Sequence, residues 1–156
     1  MKKQHREDAI LMEDTTYSGG YRDEIIFGTS YSDQIWGGFG DDTVYGKQGD
    51  DMISDVYLQK PSPGAYNDDH YFGGAGDDFL STISGADTLD GGAGGDVLWC
   101  NSTDAFVVDG GAGRDTIHLD ASISIMSKNG DNYLFLTEAG NLVSAVDVEV
   151  LRFHDW

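Results

Sequence analysis

The chain has 156 residues, 39% of them apolar, and 28 acidic against 9 basic side chains, for a formal net charge of −19. That acidity argues against nucleic acid or an anionic membrane as partner, no apolar run reaches the roughly 18 residues of a membrane span, and a single cysteine, Cys100, excludes an internal disulfide framework. A chain so acidic and so poor in apolar residues is expected to fold only with help, so cation binding and folding should be coupled.

Residues 1–18 read as a polar leader, partly disordered or with a short helix over Glu7–Met12, and without the apolar stretch of a secretory signal. From residue 19 to 120 one nine-residue pattern governs the chain. It is clearest at Gly37–Tyr45: glycine at positions one, two and four, aspartate at six, an apolar residue at eight. Gly19–Phe27 is a degenerate first copy, with Asp23 or Glu24 at six. Gly28–Trp36 carries Asp33 and Ile35. Gly37–Tyr45 has Gly37, Gly38, Gly40, Asp42 and Val44; Gly46–Ser54 has Gly46, Gly49, Asp51 and Ile53.

Asp55–Pro63 breaks the pattern, with Lys60 at six and two prolines that forbid a central strand. It reads as a bulged turn or excursion that keeps the phase of the coil. Gly64–Phe72 resumes with Gly64, Asp69 and Tyr71, a residue large enough to mark a widened turn. Gly73–Ser81 has Gly73, Gly74, Gly76, Asp78 and Leu80; Thr82–Asp90 keeps Gly85, Asp87 and Leu89. Gly91–Trp99 has Gly91, Gly92, Gly94, Asp96 and Leu98. Cys100–Asp109 is ten residues long, with Asp104 a weak sixth position. Gly110–His118 closes the array with Gly110, Gly111, Gly113, Asp115 and Ile117.

Three glycines in four residues suit a tight turn with positive φ, or carbonyls that converge on one object. The single apolar residue between two others reads as a three-residue strand with one inward side chain. Aspartates among glycines need a counter-charge, and turns of carbonyls and carboxylates are hard oxygen sites suited to Ca²⁺ rather than zinc or copper.

The repeated pattern G-G-x-G-x-D-x-apolar-x resembles the RTX (repeats-in-toxin) family. The resemblance implies an all-β fold, a right-handed parallel β-roll, with each Ca²⁺ held between stacked turns by glycine carbonyls and position-six aspartates. Successive turns lie on opposite sides, so same-side turns should be 18 residues apart. One side then carries Asp33, Asp51, Asp69, Asp87 and Asp104, and the other Asp42, Asp78, Asp96 and Asp115, with Asp42 lacking a partner. This counting gives about five or six ions. The second acidic residue at position five (Asp41, Asp50, Asp68, Asp77) should face solvent.

Residues 121–156 alternate apolar and polar side chains around the turn signals Asn129-Gly130 and Ala139-Gly140-Asn141, and read as an antiparallel β cap over the open end of the coil. Outward apolar residues are grouped as Trp36, Met52 and Phe72 on one sheet and Tyr45, Phe79, Val97 and Trp99 on the other. They are expected to be covered by the rest of the chain, or to dock a protein or glycan partner. No catalytic motif is present, and the resemblance implies a secreted calcium module that folds outside the cell after export by a type I secretion system. The alternatives are the C-terminal module of a secreted protease, lipase or polysaccharide epimerase, and a carbohydrate or surface-layer binding module.

Overall fold

The computed structural model describes residues 8–55, 67–100, 106–120, 123–137 and 140–154. A nine-residue unit with one inward apolar residue can bury only that residue before it must turn, so short strands alternate with glycine-rich corners. The first are β1 (Asp8–Leu11), β2 (Thr16–Ser18), β3 (Glu24–Phe27), β4 (Gln34–Trp36), β5 (Thr43–Gln48) and β6 (Met52–Ser54). They are followed by β7 (His70–Ala75), β8 (Phe79–Thr82), β9 (Thr88–Gly94), β10 (Val97–Cys100), β11 (Val107–Asp109), β12 (Ala112–Gly113) and β13 (Thr116–Asp120). The last are β14 (Ile123–Asn129), β15 (Asn132–Thr137), β16 (Leu142–Val146) and β17 (Val150–His154).

Alternate strands fall into two sheets. One runs β1-β3-β5-β7-β9-β11-β16-β15-β14, with β12 on β9; the other runs β17-β13-β10-β8-β6-β4-β2. All pairs along the coil are parallel. Ile26, Ile35, Val44, Ile53, Tyr71, Leu80, Leu89, Leu98, Val108 and Ile117 are fully buried, one per strand, in a single file between the sheets. This is an all-β, mostly parallel β-roll with an antiparallel region near its C-terminal end, as the repeat implies.

The phase of the coil differs from the sequence reading. Ladder neighbours are 18 apart in Ile26↔Val44 and Ile35↔Ile53, but 27 apart in Val44↔Tyr71 and Ile53↔Leu80. The ladders therefore step by nine extra residues between Ser54 and His70, without a change of sheet order on either side. Every turn after them sits on the side opposite to the one expected. Phe72 consequently joins Tyr45 and Phe27, their rings stacked at 4.9 and 5.0 Å, while Trp36 and Met52 share a sheet with Phe79, Val97 and Trp99. These outward side chains are half-buried.

The ends also differ. β1 and β2 pair in parallel with β3 and β4, so winding begins inside the segment read as a leader, and Asp8–Leu11 is strand rather than helix. At the other end β14, β15 and β16 are antiparallel neighbours, with Gly130 at φ +62° in the tight turn. However, β16 and β17 run parallel to β11 and β13, so the region expected to be a cap contains one further turn of coil. Val107↔Thr88 sets Phe106, not Asp104, opposite Asp87; Asp104 lies outside the described residues.

Candidate metal centres

The register lines up the position-six residues in two corner rows. The first holds Glu24, Asp42, Asp69 and Asp87; the second holds Asp33, Asp51, Asp78, Asp96 and Asp115, and ends on Glu149. The expected pairs 33/51, 69/87, 78/96 and 96/115 are neighbours. The expected 51/69 pair is not: Asp51 stacks on Asp78, and Asp42, expected to lack a partner, stacks on Asp69. The 27-residue step between ladder partners Val44↔Tyr71 and Ile53↔Leu80 is the cause.

From the second member of each row onward, one carboxylate oxygen ties adjacent turns together by accepting the backbone N–H of the equivalent residue one turn earlier. Glu24 donates to Asp42 at 2.8 Å, Asp42 to Asp69 at 2.9 Å and Asp69 to Asp87 at 2.9 Å. In the second row Asp33 donates to Asp51 (2.8 Å), Asp51 to Asp78 (2.7 Å), Asp78 to Asp96 (2.8 Å), Asp96 to Asp115 (2.8 Å) and Asp115 to Glu149 Oε2 (2.7 Å). Position five runs a ladder of opposite sense. Asp68, Asp77, Ala86 and Gly95 donate N–H back to Asp41, Asp50, Asp68 and Asp77 of the preceding turn, at 2.8–3.0 Å. These carboxylates, read from sequence as solvent-facing, also stitch turns.

The second oxygens distinguish the sites. Oδ2 of Asp42, Asp51, Asp78, Asp87, Asp96 and Asp115 is buried and accepts no hydrogen bond. A buried carboxylate oxygen without a partner is costly, and something positive must face it. Burial pushes these groups above the usual 3.8: Asp42 to about 8, Asp78 and Asp87 to about 7, Asp51 and Asp96 to about 6, and Asp115 in the same direction.

The first-position glycines are what bring those oxygens beside backbone carbonyls. A β-carbon on Gly46 would collide with Asp51 Oδ2 and lie 2.5 Å from the Gly73 carbonyl oxygen. On Gly73 it would collide with Asp78 Oδ2 and lie 2.6 Å from the Gly91 oxygen, and on Gly91 with Asp96 Oδ2 and 2.6 Å from the Gly110 oxygen. At Gly110 it would collide with the Asp147 carbonyl oxygen. A β-carbon on Gly37 would lie 3.0 Å from Asp42 Oδ2. Gly38, Gly40, Gly49, Gly74, Gly76, Gly85, Gly92, Gly94, Gly111 and Gly113 all have positive φ and shape the corners. Gly64 lies outside the described residues.

Carbonyl oxygens and carboxylates together suit a hard divalent cation, and the unpartnered oxygens fit one. Among the described residues no three His, Cys, Asp or Glu side chains converge; each cradle combines a carboxylate with backbone. Two row members are different. Both oxygens of Asp33 are satisfied by Thr29, Oδ2 by its N–H at 2.6 Å and Oδ1 by its hydroxyl at 2.9 Å. Asp69 Oδ2 accepts from Asn67 and Tyr71. Burial and the neighbouring Asp55 push Asp69 up to about 10, and burial raises Asp55 as well. Lys47, held at φ +85° in a second-position slot, donates its ammonium to the Gly28 carbonyl at 2.5 Å.

Sequence reasoning missed Glu149, which stands two residues before inward Leu151 as Asp115 stands two before Ile117. Cys100 is fully buried and burial pushes its thiol up, as suits a core residue rather than a nucleophile.

The family model of the RTX calcium-binding nonapeptide repeat matches residues 18–53, 63–98 and 107–122, more than half of the chain. No curated protein matches it.

Proposed function

The chain belongs to the RTX calcium-binding nonapeptide-repeat family, and from that premise we propose that it is a secreted module whose coil forms when calcium loads its two corner rows. The observation that supports this reading is the set of six buried, unpartnered Oδ2 atoms on Asp42, Asp51, Asp78, Asp87, Asp96 and Asp115. Bound calcium would supply positive charge between stacked turns. The position-six aspartates would each offer one oxygen to it while the other holds the neighbouring amide. Gly73, Gly91 and Gly110 would turn their carbonyls toward the same spaces, and the first-position glycines would keep side chains out of them. About five or six ions would be taken up in all.

Without cations, the acidic rows repel and the single-file core is too thin to hold them together. Extracellular modules bind calcium at ~10⁻⁴–10⁻³ M, so the chain would stay expanded in the cytosol and fold outside. That behaviour suits export by a type I secretion system. Among the described residues no helix is long and apolar enough to cross a membrane.

The test is a calcium titration followed by far-ultraviolet circular dichroism, with bound ions counted by native mass spectrometry. A coil-to-β transition in the submillimolar to millimolar range, reversed by chelator, is expected. Full β signal in excess chelator at neutral pH refutes the coupling.

A second reading concerns the outer face. Phe27, Tyr45 and Phe72 form a half-buried stack with interplanar angles of 8°, a flat strip of the kind that receives a sugar ring or a partner's apolar side chain. Retention on a glycan array, abolished by Tyr45→Ala with the fold unchanged, is the expected result; no retention removes the glycan reading.

A further inference from the structure

One corner of the first row is built differently from the rest. The ladder sets Ser54 beside both Trp36 and Ser81, so Asp55 occupies the first-position slot held by Gly37 one turn earlier and Thr82 one turn later. Where Gly37 leaves space, a buried carboxylate side chain stands.

Tyr71, fully buried, reaches this carboxylate from its core position. Its Oη lies 2.8 Å from Asp55 Oδ1 and 2.9 Å from Asp69 Oδ2. Asn67 Nδ2 donates to Asp69 Oδ2 at 2.7 Å, and the N–H of Ile83 donates to Asp55 Oδ2 at 2.8 Å. Asp69 Oδ1 takes the Asp42 N–H. All four oxygens of the two carboxyl groups are therefore engaged by protein, whereas six of the other row aspartates each leave one buried oxygen unpartnered.

The phenol also changes what the preceding corner of the row, that of Asp42, offers. A β-carbon on Gly37 would meet Tyr71 Oη at 2.6 Å, whereas on Gly46, Gly73 or Gly91 it would meet the carbonyl oxygen of the following turn. A carbonyl is a strong ligand for a hard cation, while a neutral phenol is chiefly a donor to carboxylates.

We propose that Asp69 carries no calcium, and that Asp55, Asn67 and Tyr71 close its turn as a hydrogen-bonded clasp of protein in place of a cation. The clasp ties the two ends of the lengthened corner together, since Asp55 precedes the extra residues and Asn67, Asp69 and Tyr71 follow them. This inference rests on the calcium reading of the other corners.

Two measurements test it. Crystals of the unmodified protein loaded with terbium should give anomalous peaks at the corners of Asp51, Asp78 and Asp96, and none within coordinating distance of Asp69 Oδ2. A peak on Asp69 Oδ2 overturns the clasp and leaves the calcium reading standing; no peak anywhere refutes that reading and the clasp with it. The double variant Asp55→Gly with Tyr71→Leu restores the pattern of the other turns. By native mass spectrometry in calcium chloride it should bind one more ion than the unmodified protein. A folded double variant with the same ion count shows that these side chains are not what closes the turn. If the variant does not fold, the terbium crystals decide.

Discussion

Gly73→Ala is expected to lose one calcium ion and about 3 kcal/mol or more of stability even at saturating calcium, a fall in Tm of roughly 6–12 °C for a chain of this size. Gly73 does not have positive φ, so alanine can take its backbone conformation and the effect isolates sterics. The added methyl group would overlap Asp78 Oδ2 and sit 2.6 Å from the Gly91 carbonyl oxygen. One is held by its carboxylate-to-amide ladder and the other is main chain, so neither can swing aside. The methyl would occupy the space that both oxygens face and replace a cation's neighbours with carbon. Gly130→Ala is the control: φ is +62° but no atom lies within 4 Å of the added carbon, so the expected loss is only about 1 kcal/mol, with the ion count unchanged. Thermal melts and native mass spectrometry on both variants check the contrast. A Gly73→Ala protein with unchanged Tm and ion count would show that the corner is not a binding space.

The second expected result is an inverted pH dependence in chelator. Without metal, the β signal should be greatest at about pH 4, fall steadily above it and be lost by pH 8. In the folded chain Asp42 is pushed up to about 8, Asp78 and Asp87 to about 7, and Asp51 and Asp96 to about 6, in each case mainly by burial. In the unfolded chain these groups return to about 3.9. Between the two values the folded state holds more protons than the unfolded one, so its stability falls as pH rises. Below about pH 4 both states are protonated and the penalty vanishes; above about pH 8 it is complete. For each such group, every pH unit inside its window removes about 1.4 kcal/mol from the metal-free fold. With calcium the sign reverses, because the cation competes with protons for the same carboxylates and binds better as pH rises. Circular dichroism against pH, with and without calcium, checks both arms. A metal-free β signal that grows from pH 5 to 8 would show that the rows are not buried acids.

The winding was legible because it is periodic in two chemistries at once. An aspartate and an inward apolar residue recur together, so Asp78 with Leu80 and Asp96 with Leu98 define both a corner and a strand. Asp55–Pro63 was harder, because a stretch of nine residues preserves the count whether or not it adds a strand. The deciding feature is its eighth residue, Ser62, which offers no apolar side chain to bury. Reading that serine would have shifted Phe72 to the other sheet and paired Asp42 with Asp69. Glu149 was hidden because its turn lacks glycines, although its spacing to Leu151 matches that of Asp115 to Ile117. The hydroxyl of Tyr71 could not be assigned from composition. Its size stands out in the sequence, but its partners Asp55 and Asn67 come from either side of an insertion, and only the ladder brings them together.

The step of 27 residues between Ile53 and Leu80 shows that phase in this coil is counted in strands and not in residues. Lengthening a corner changes only loop-closure entropy, which grows by about 0.6 kcal/mol for each doubling. The hydrogen bond from Tyr71 to Asp55 fastens the two described flanks of that added length to each other. A foreign peptide grafted between those flanks is therefore expected to be displayed with the ladders above and below still in register.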